Sequence, residues 1–280
     1  MTELDAATEG YVTRSVERWR DGRVSREDDE VAEEVPIAMV YNGDTFAVMM
    51  ASPHDLEDFA LGFSLSERLI DNPAQLLAIE PRSLLEGIEL CMQVSVETPA
   101  ARIGAERQRL LPGRSGCGIC GTRDLEQAVR HNDPVGTGKT VAREALERAL
   151  AQLQSRQPIN AVTGAVHAAA WTDAHGDIHL VREDVGRHNA LDKLLGALRK
   201  ADLDPASGMV IVTSRASYEM VTKAASAGVT LLAAISAPTA LAIELARSAG
   251  LTLIGFARRG SHNIYTHPHR IGSVERPESP

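Results

Sequence analysis

The sequence is short of several things, and each shortage narrows the possibilities. Three cysteines in 280 residues are too few for a disulfide framework, so a reducing, cytoplasmic setting is expected. No apolar run approaches the roughly 18 residues that a membrane span needs. The first ten residues carry Glu3, Asp5 and Glu9 and no apolar stretch, so no secretory signal is expected. Basic charge is also in deficit, with a net charge of −9. That argues against broad binding to nucleic acid or to a membrane. It leaves room for one small anion held by local arginines and backbone N–H groups. No internal repeat is present.

What remains is ordinary globular material, 44% hydrophobic and 24% charged, long enough for a substantial core. Residues 1–34 are polar, with the cluster Arg26-Glu27-Asp28-Asp29-Glu30, and read as a mobile tail. Order is expected from Val35. Strands at 37–40 and 45–50 flank Asn42-Gly43, a hairpin signal because both residues tolerate positive φ. A helix follows from Ser52-Pro53 to about Ile70, with Leu56, Phe59, Phe63 and Leu69 on its apolar face. A further strand is expected at 88–96. Residues 35–140 thus read as a small α+β domain that ends in a loop holding Cys117 and Cys120.

Residues 141–280 are more regular. A helix is expected at 141–154, strands at 161–171 and 177–182, and a helix at 189–200. Strands at 209–213, 229–235 and 251–256 then alternate with helices at 216–227 and 238–249. This is an α/β pattern with a largely parallel sheet covered by helices. In such a sheet ligands bind beyond the carboxyl ends of the strands. Glu183–His188, Ser214–Ser217, Ser236–Thr239 and Ala257–Ser261 should gather there. Arg187, Arg215, Arg258 and Arg259 offer guanidinium forks for phosphate. Gly138-Lys139-Thr140 imitates the end of a P-loop, but the glycine needed five residues earlier is Asp133, and no apolar strand precedes it.

Gly116-Cys117-Gly118-Ile119-Cys120-Gly121 is the most specific local pattern. A Cys-x-x-Cys pair suits zinc binding, dithiol redox cycling or sulfur transfer through a persulfide. Zinc wants four ligands, and the one other cysteine is Cys91; no metal site is expected. Surrounding glycines suit a mobile carrier loop. The residues alone leave carrier, redox dithiol, structural zinc and structural loop open.

Several stretches together resemble one family. Ser115–Gly121 is similar to the cysteine loop of the FdhD family of formate dehydrogenase accessory proteins. So are Glu183–Ala190 with Asp192-Lys193, Ser214–Glu219 with Lys223, Ser236–Thr239, and Gly255-Phe256 through Asn263–Thr266. The resemblance spans about residues 35–271. It implies a sulfurtransferase of the carrier type, in which Cys117 accepts sulfur from a cysteine desulfurase as a persulfide, with Cys120 beside it. The sulfur then goes to the molybdenum cofactor, a bis-molybdopterin guanine dinucleotide, before that cofactor enters formate dehydrogenase. The alternative is a cofactor-binding chaperone without covalent transfer. The family's cofactor stretch falls on Phe256, Ala257, Arg258, Arg259, Gly260 and Ser261. The cofactor would be bound transiently, with GDP as a partial mimic and nothing held permanently.

The second half also resembles the cytidine deaminase-like fold, which implies a three-layer domain. Deaminase chemistry is not implied. That family places a His/Cys-x-Glu and a Pro-Cys-x-x-Cys at two helix starts. Here those positions read His188-Asn189-Ala190 and Arg215-Ala216-Ser217-Tyr218. A homodimer is the default expectation for assembly.

Overall fold

A computed structural model describes residues 10–103 and 132–272. Cys117 and Cys120 lie outside the described residues.

Residues 10–34 correct the expectation of a mobile tail. β1 (Tyr11–Arg20) and β2 (Arg23–Ala32) form a two-stranded antiparallel ribbon. The turn is Asp21-Gly22, with φ of 51° and 78°, the backbone that matches the right-handed twist of paired strands. Charged residues on both faces hide the strand alternation, because no apolar core selects one face of the ribbon.

β3 (Val35–Tyr41) and β4 (Asp44–Ala51) form the expected hairpin, with Asn42 and Gly43 at φ 49° and 95°. β5 (Leu76–Ser83) and β6 (Ile88–Val94) complete a sheet of order β4-β3-β6-β5. β5 has no counterpart in the sequence reading. α1 (Leu56–Ser66) lies on one face, where Ile37, Met39, Leu90 and Met92 meet Phe59 and Phe63. Full burial of each such side chain contributes roughly 1.5–3 kcal/mol. The helix is shorter than expected because Asp55 before it and Arg68 after it both adopt left-handed φ.

The second half follows the alternation. α2 (Arg143–Leu153) and α3 (Pro158–Thr163) precede β7 (His167–Asp173) and β8 (Ile178–Asp184). Then come α4 (Arg187–Lys200), β9 (Gly208–Val212), α5 (Tyr218–Ser226), β10 (Leu231–Ala234), α6 (Ala240–Ser248), β11 (Thr252–Arg258) and β12 (Ser261–Ile264). Part of the strand expected at 161–171 is helical, because Pro158 starts α3 with the fixed φ that suits a first turn.

The sheet order is β12-β11-β10-β9-β7-β8. β9, β10 and β11 run parallel, β7 opposes β9, β8 opposes β7, and β12 opposes β11. Successive residues of β9 feed opposite faces. Val210 and Val212 pack beneath α4, α5 and α6 with Leu191, Leu194, Met220 and Ala246. Met209 and Ile211 pack toward α2 with Leu146, Ala149 and Leu153. Burial of both faces explains the continuous apolar runs, and the domain has three layers.

The two halves meet where α1 packs on α4. Gly62 and Gly196 allow close approach there, because a Cβ on Gly62 would overlap the Asp192 carbonyl and one on Gly196 the Asp58 carbonyl. At the amino edge of the large sheet, the segment 132–141 lies across the strand starts. Val135 N–H donates to Ala249 O and Lys139 N–H to Ala206 O. Arg270 donates to the carbonyls of Gly136, Thr137 and Gly250 and to Thr252 Oγ1, at 2.6–3.1 Å.

Candidate functional site

The strand directions bring β8, β9, β10 and β11 to one carboxyl edge, and β7 and β12 begin there. The four turns singled out in the sequence therefore share one edge. Three of them, after β9, β10 and β11, are also laced together. Ile235 N–H donates to Val212 O (2.9 Å), Thr239 N–H to Ala216 O (3.0 Å) and Phe256 N–H to Ser236 O (3.1 Å). Ala216 and Pro238 form a parallel bridge.

At the β8 end of this edge, α4 begins with Arg187 and His188. His188 Nε2 lies 2.8 Å from Glu219 Oε2 in the first turn of α5, and both side chains are largely buried. Arg187 Nε and Ser217 Oγ are buried without a hydrogen-bond partner. Such groups normally find partners, and here they stand at the starts of two helices, where N–H groups favour an anion. His167, at the start of β7, has its pKa lowered by burial and by the Arg187 and His188 charges beside it. Arg215 is exposed.

At the β11 end, the expected cofactor stretch is not one loop. Phe256, Ala257 and Arg258 end β11, Arg259 and Gly260 make the turn, and Ser261 starts β12. Phe256 sits in a register shift between β11 and β12, with φ of 52°, and is 40% exposed. An aromatic residue in that region is strained, a condition that clusters at functional positions. Ala257 is buried toward α2, so its side chain does not face the edge. Arg258, Arg259, Gly260 and Ser261 are exposed. The Gly260 N–H already donates to Glu147 Oε2 at 2.7 Å, so a phosphate at that nitrogen would have to displace a carboxylate. Gly255 before Phe256 has no room for a side chain, because a Cβ would lie 2.6 Å from Pro238 Cδ.

Much of the Glu183–Lys193 motif is structural. Glu183 accepts the N–H groups of Ile159 (3.0 Å) and Asn160 (2.8 Å). Burial still pushes its pKa up. Asp184 is buried and pairs with Lys193 Nζ at 2.7 Å. It also accepts from Ser52 N–H, Gly186 N–H and Asn189 Nδ2. Lys193 donates on to Ser52 O. Asp192 binds Lys223 at 2.9 Å and Ser66 Oγ at 2.6 Å, and Lys223 also pairs with Glu67. These networks tie α1 and the strand before it to α4 and α5. Arg187 and His188 are the members of the motif left facing the edge. The sequence reading missed His167 and gave Glu219 no role; the signal for His167 is that an antiparallel β7 must begin where β9 ends.

The cysteine segment leaves the described structure at Ile103 and returns at Asn132. Ile103 packs on the N-terminal core. Asn132 donates to Thr222 O (2.8 Å) and accepts from Arg68. Among the described residues, no helix is long and apolar enough to cross a membrane.

Comparison with known proteins gives a consistent result. A model of the FdhD/NarQ family matches residues 32–272. The sulfur carrier protein FdhD of Xanthomonas euvesicatoria pv. vesicatoria is 56% identical over 262 residues, covering 94% of this chain and 92% of its own. The protein of the same name from Cupriavidus necator is 51% identical over 267 residues, covering 95% and 92%. A crystal structure from Desulfotalea psychrophila, of a protein assigned as a formate dehydrogenase accessory protein, matches with a TM-score of 0.71. It covers 93% of this chain and 99% of its own at 22% identity, so that likeness speaks for the fold.

Proposed function

The chain belongs to the FdhD/NarQ family, and we propose that it is a sulfur carrier that serves formate dehydrogenase. The observation that carries this is the 56% identity, over 94% of the chain, to a protein named as a sulfur carrier. In this reading the Cys117 thiolate attacks the terminal sulfur of a desulfurase persulfide. The desulfurase leaves as its thiolate, and Cys117 keeps the sulfur as a persulfide, so atoms and charge balance. A free thiol with a pKa near 8.5 is only about 3% thiolate at pH 7. Nearby N–H groups or a cation must raise that fraction.

The sulfur acceptor is the bis-molybdopterin guanine dinucleotide cofactor, bound at the carboxyl edge. Two features support this. Partnerless Arg187 Nε and Ser217 Oγ fit an anionic guest. The Arg187 and Phe256–Ser261 groups stand at strands β8 and β11, four inter-strand steps apart, or roughly 19 Å, which suits an elongated dinucleotide better than a mononucleotide. When bound, the cofactor supplies the metal that receives sulfur. The protein's own residues bind, orient and exclude water. Ile103 and Asn132 leave Cys117 within roughly 50 Å of either root by chain length alone.

Mass spectrometry after incubation with a cysteine desulfurase and cysteine tests the reading. Native protein should gain one sulfur atom, removable by reductant, and Cys117→Ala should gain none. No gain in the native protein would leave a cofactor-binding chaperone as the function, and equal labelling of the two would move the carried sulfur from Cys117 to another residue.

A further inference from the structure

The turn between β11 and β12 carries a contact that the sulfur-carrier reading leaves without a purpose. Gly260 has a φ of 76°, and the space beside its α-carbon is open to 4 Å. Backbone N–H groups in such turns are natural donors to anions. That N–H, however, donates to Glu147 Oε2 at 2.7 Å, from the second turn of α2. A carboxylate oxygen that accepts a backbone N–H is a close chemical copy of a phosphate oxygen in the same position.

Arg143 stands four residues before Glu147 and so on the same side of α2. Its Nε is buried without a hydrogen-bond partner. Its Nη1 lies 3.4 Å from His262 Nε2 in β12. Burial and the Arg143 charge lower the His262 pKa, so this neighbour gives the guanidinium no counter-charge. Glu147 thus has two positions open to it. One is the Gly260 N–H that it holds, and the other is the Arg143 guanidinium one helical turn back.

We propose that Glu147 sets the selectivity of the cofactor seat by standing in for a phosphate. This rests on the reading that Phe256–Ser261 binds a guanine nucleotide arm. The incoming phosphate takes the Gly260 N–H, and the displaced carboxylate turns back to Arg143. A ligand held by this seat alone gains little, because it must break a charge-assisted hydrogen bond and approach a negative side chain. A dinucleotide cofactor that is also held near Arg187, at the other end of the edge, has further contacts to offset that loss. Glu147 therefore turns away free guanine nucleotides, which share the cofactor's base and phosphates, and admits the longer ligand. Discrimination of this kind commonly rests on a repulsive element.

Calorimetry of GDP binding to the full chain in low salt tests the proposal. Glu147→Ala frees the Gly260 N–H and removes the charge, and should bind GDP about tenfold or more tighter than native protein. Glu144→Gln, an exposed change on the same helix, removes a charge without touching the turn and should stay within about twofold. A carboxylate that merely braced the turn would give no gain on removal. Arg143→Met should weaken GDP binding to native protein several-fold and leave Glu147→Ala unchanged, because the displaced carboxylate is what uses that arginine. Equal GDP affinity in native protein and Glu147→Ala would overturn the proposal while leaving the seat in place. So would a gain that Glu144→Gln matches, or an Arg143→Met loss that is the same with and without Glu147. GDP binding to neither native protein nor Glu147→Ala would remove the seat itself, and the proposal with it.

Discussion

Gly62 and Gly196 face each other across the α1–α4 crossing, each pressed against the other helix's backbone. The N-terminal unit is therefore clamped to the helix whose first turn carries Arg187 and His188. Gly62→Ala should force the helices apart and cost about 1–3 kcal/mol, the usual range for an overpacked core. Urea denaturation would show it as a lowered midpoint. A loss under 0.5 kcal/mol would mean that the crossing relaxes freely.

The polar motif should split by burial. Lys193 is fully buried and its pKa is lowered, with burial opposing the charge more than Asp184 supports it. Lys193→Met would leave Asp184 without its cation and should cost about 3–5 kcal/mol. The exposed Arg215 should tolerate Ala within about 0.5 kcal/mol. Equal denaturation midpoints for the two variants would remove the structural role assigned to Lys193.

Phe256 should behave in opposite ways in two assays. Phe256→Gly relieves the left-handed backbone and should stabilise the fold by up to about 1 kcal/mol. If the ring packs on a base, the same change should weaken GDP binding, read by calorimetry. Lower stability together with unchanged GDP affinity would place Phe256 in the core and outside the site.

His167 should make the protein sensitive to acid. Its folded pKa lies below the ordinary value of 6.5, so the unfolded chain binds the proton more readily. Stability from this group is then present above pH 6.5 and is lost as pH falls below it. His262, also lowered by burial and Arg143, acts in the same direction. Chemical denaturation at pH 7 and pH 5 should show a smaller loss for His167→Gln than for native protein. An identical loss would refute the assignment.

Arg258→Ala should weaken GDP binding about tenfold if its guanidinium meets phosphate, since a charge-assisted contact is worth roughly 1.5–3 kcal/mol. Affinity that is equal in Arg258→Ala and native protein, and flat with salt, would exclude that contact.

Where an element buries one face or both, the sequence shows it. Asn42-Gly43 marks its turn, and the runs around Val210, Leu232 and Leu253 mark strands covered on two sides. The carboxyl edge was legible for the same reason, because strand directions follow from alternation. The ribbon was not, since residues such as Arg18, Glu27 and Asp29 pair with each other and leave no apolar stripe. Asp21-Gly22 was the available signal. Chemistry was harder to sort than topology. Asp184, Asp192, Lys193 and Lys223 look like ligand residues in sequence, but they serve as buried ties, and only three-dimensional pairing separates them from Arg187 and His188.

Arg270 and the Val141–Ile271 bridge hold the last described residues at the amino edge of the large sheet. The chain at Gly272 therefore leaves on the side opposite the four turns of the carboxyl edge. A protein captured on a sensor surface through an affinity handle added beyond that point would turn its carboxyl edge outward, toward injected nucleotide.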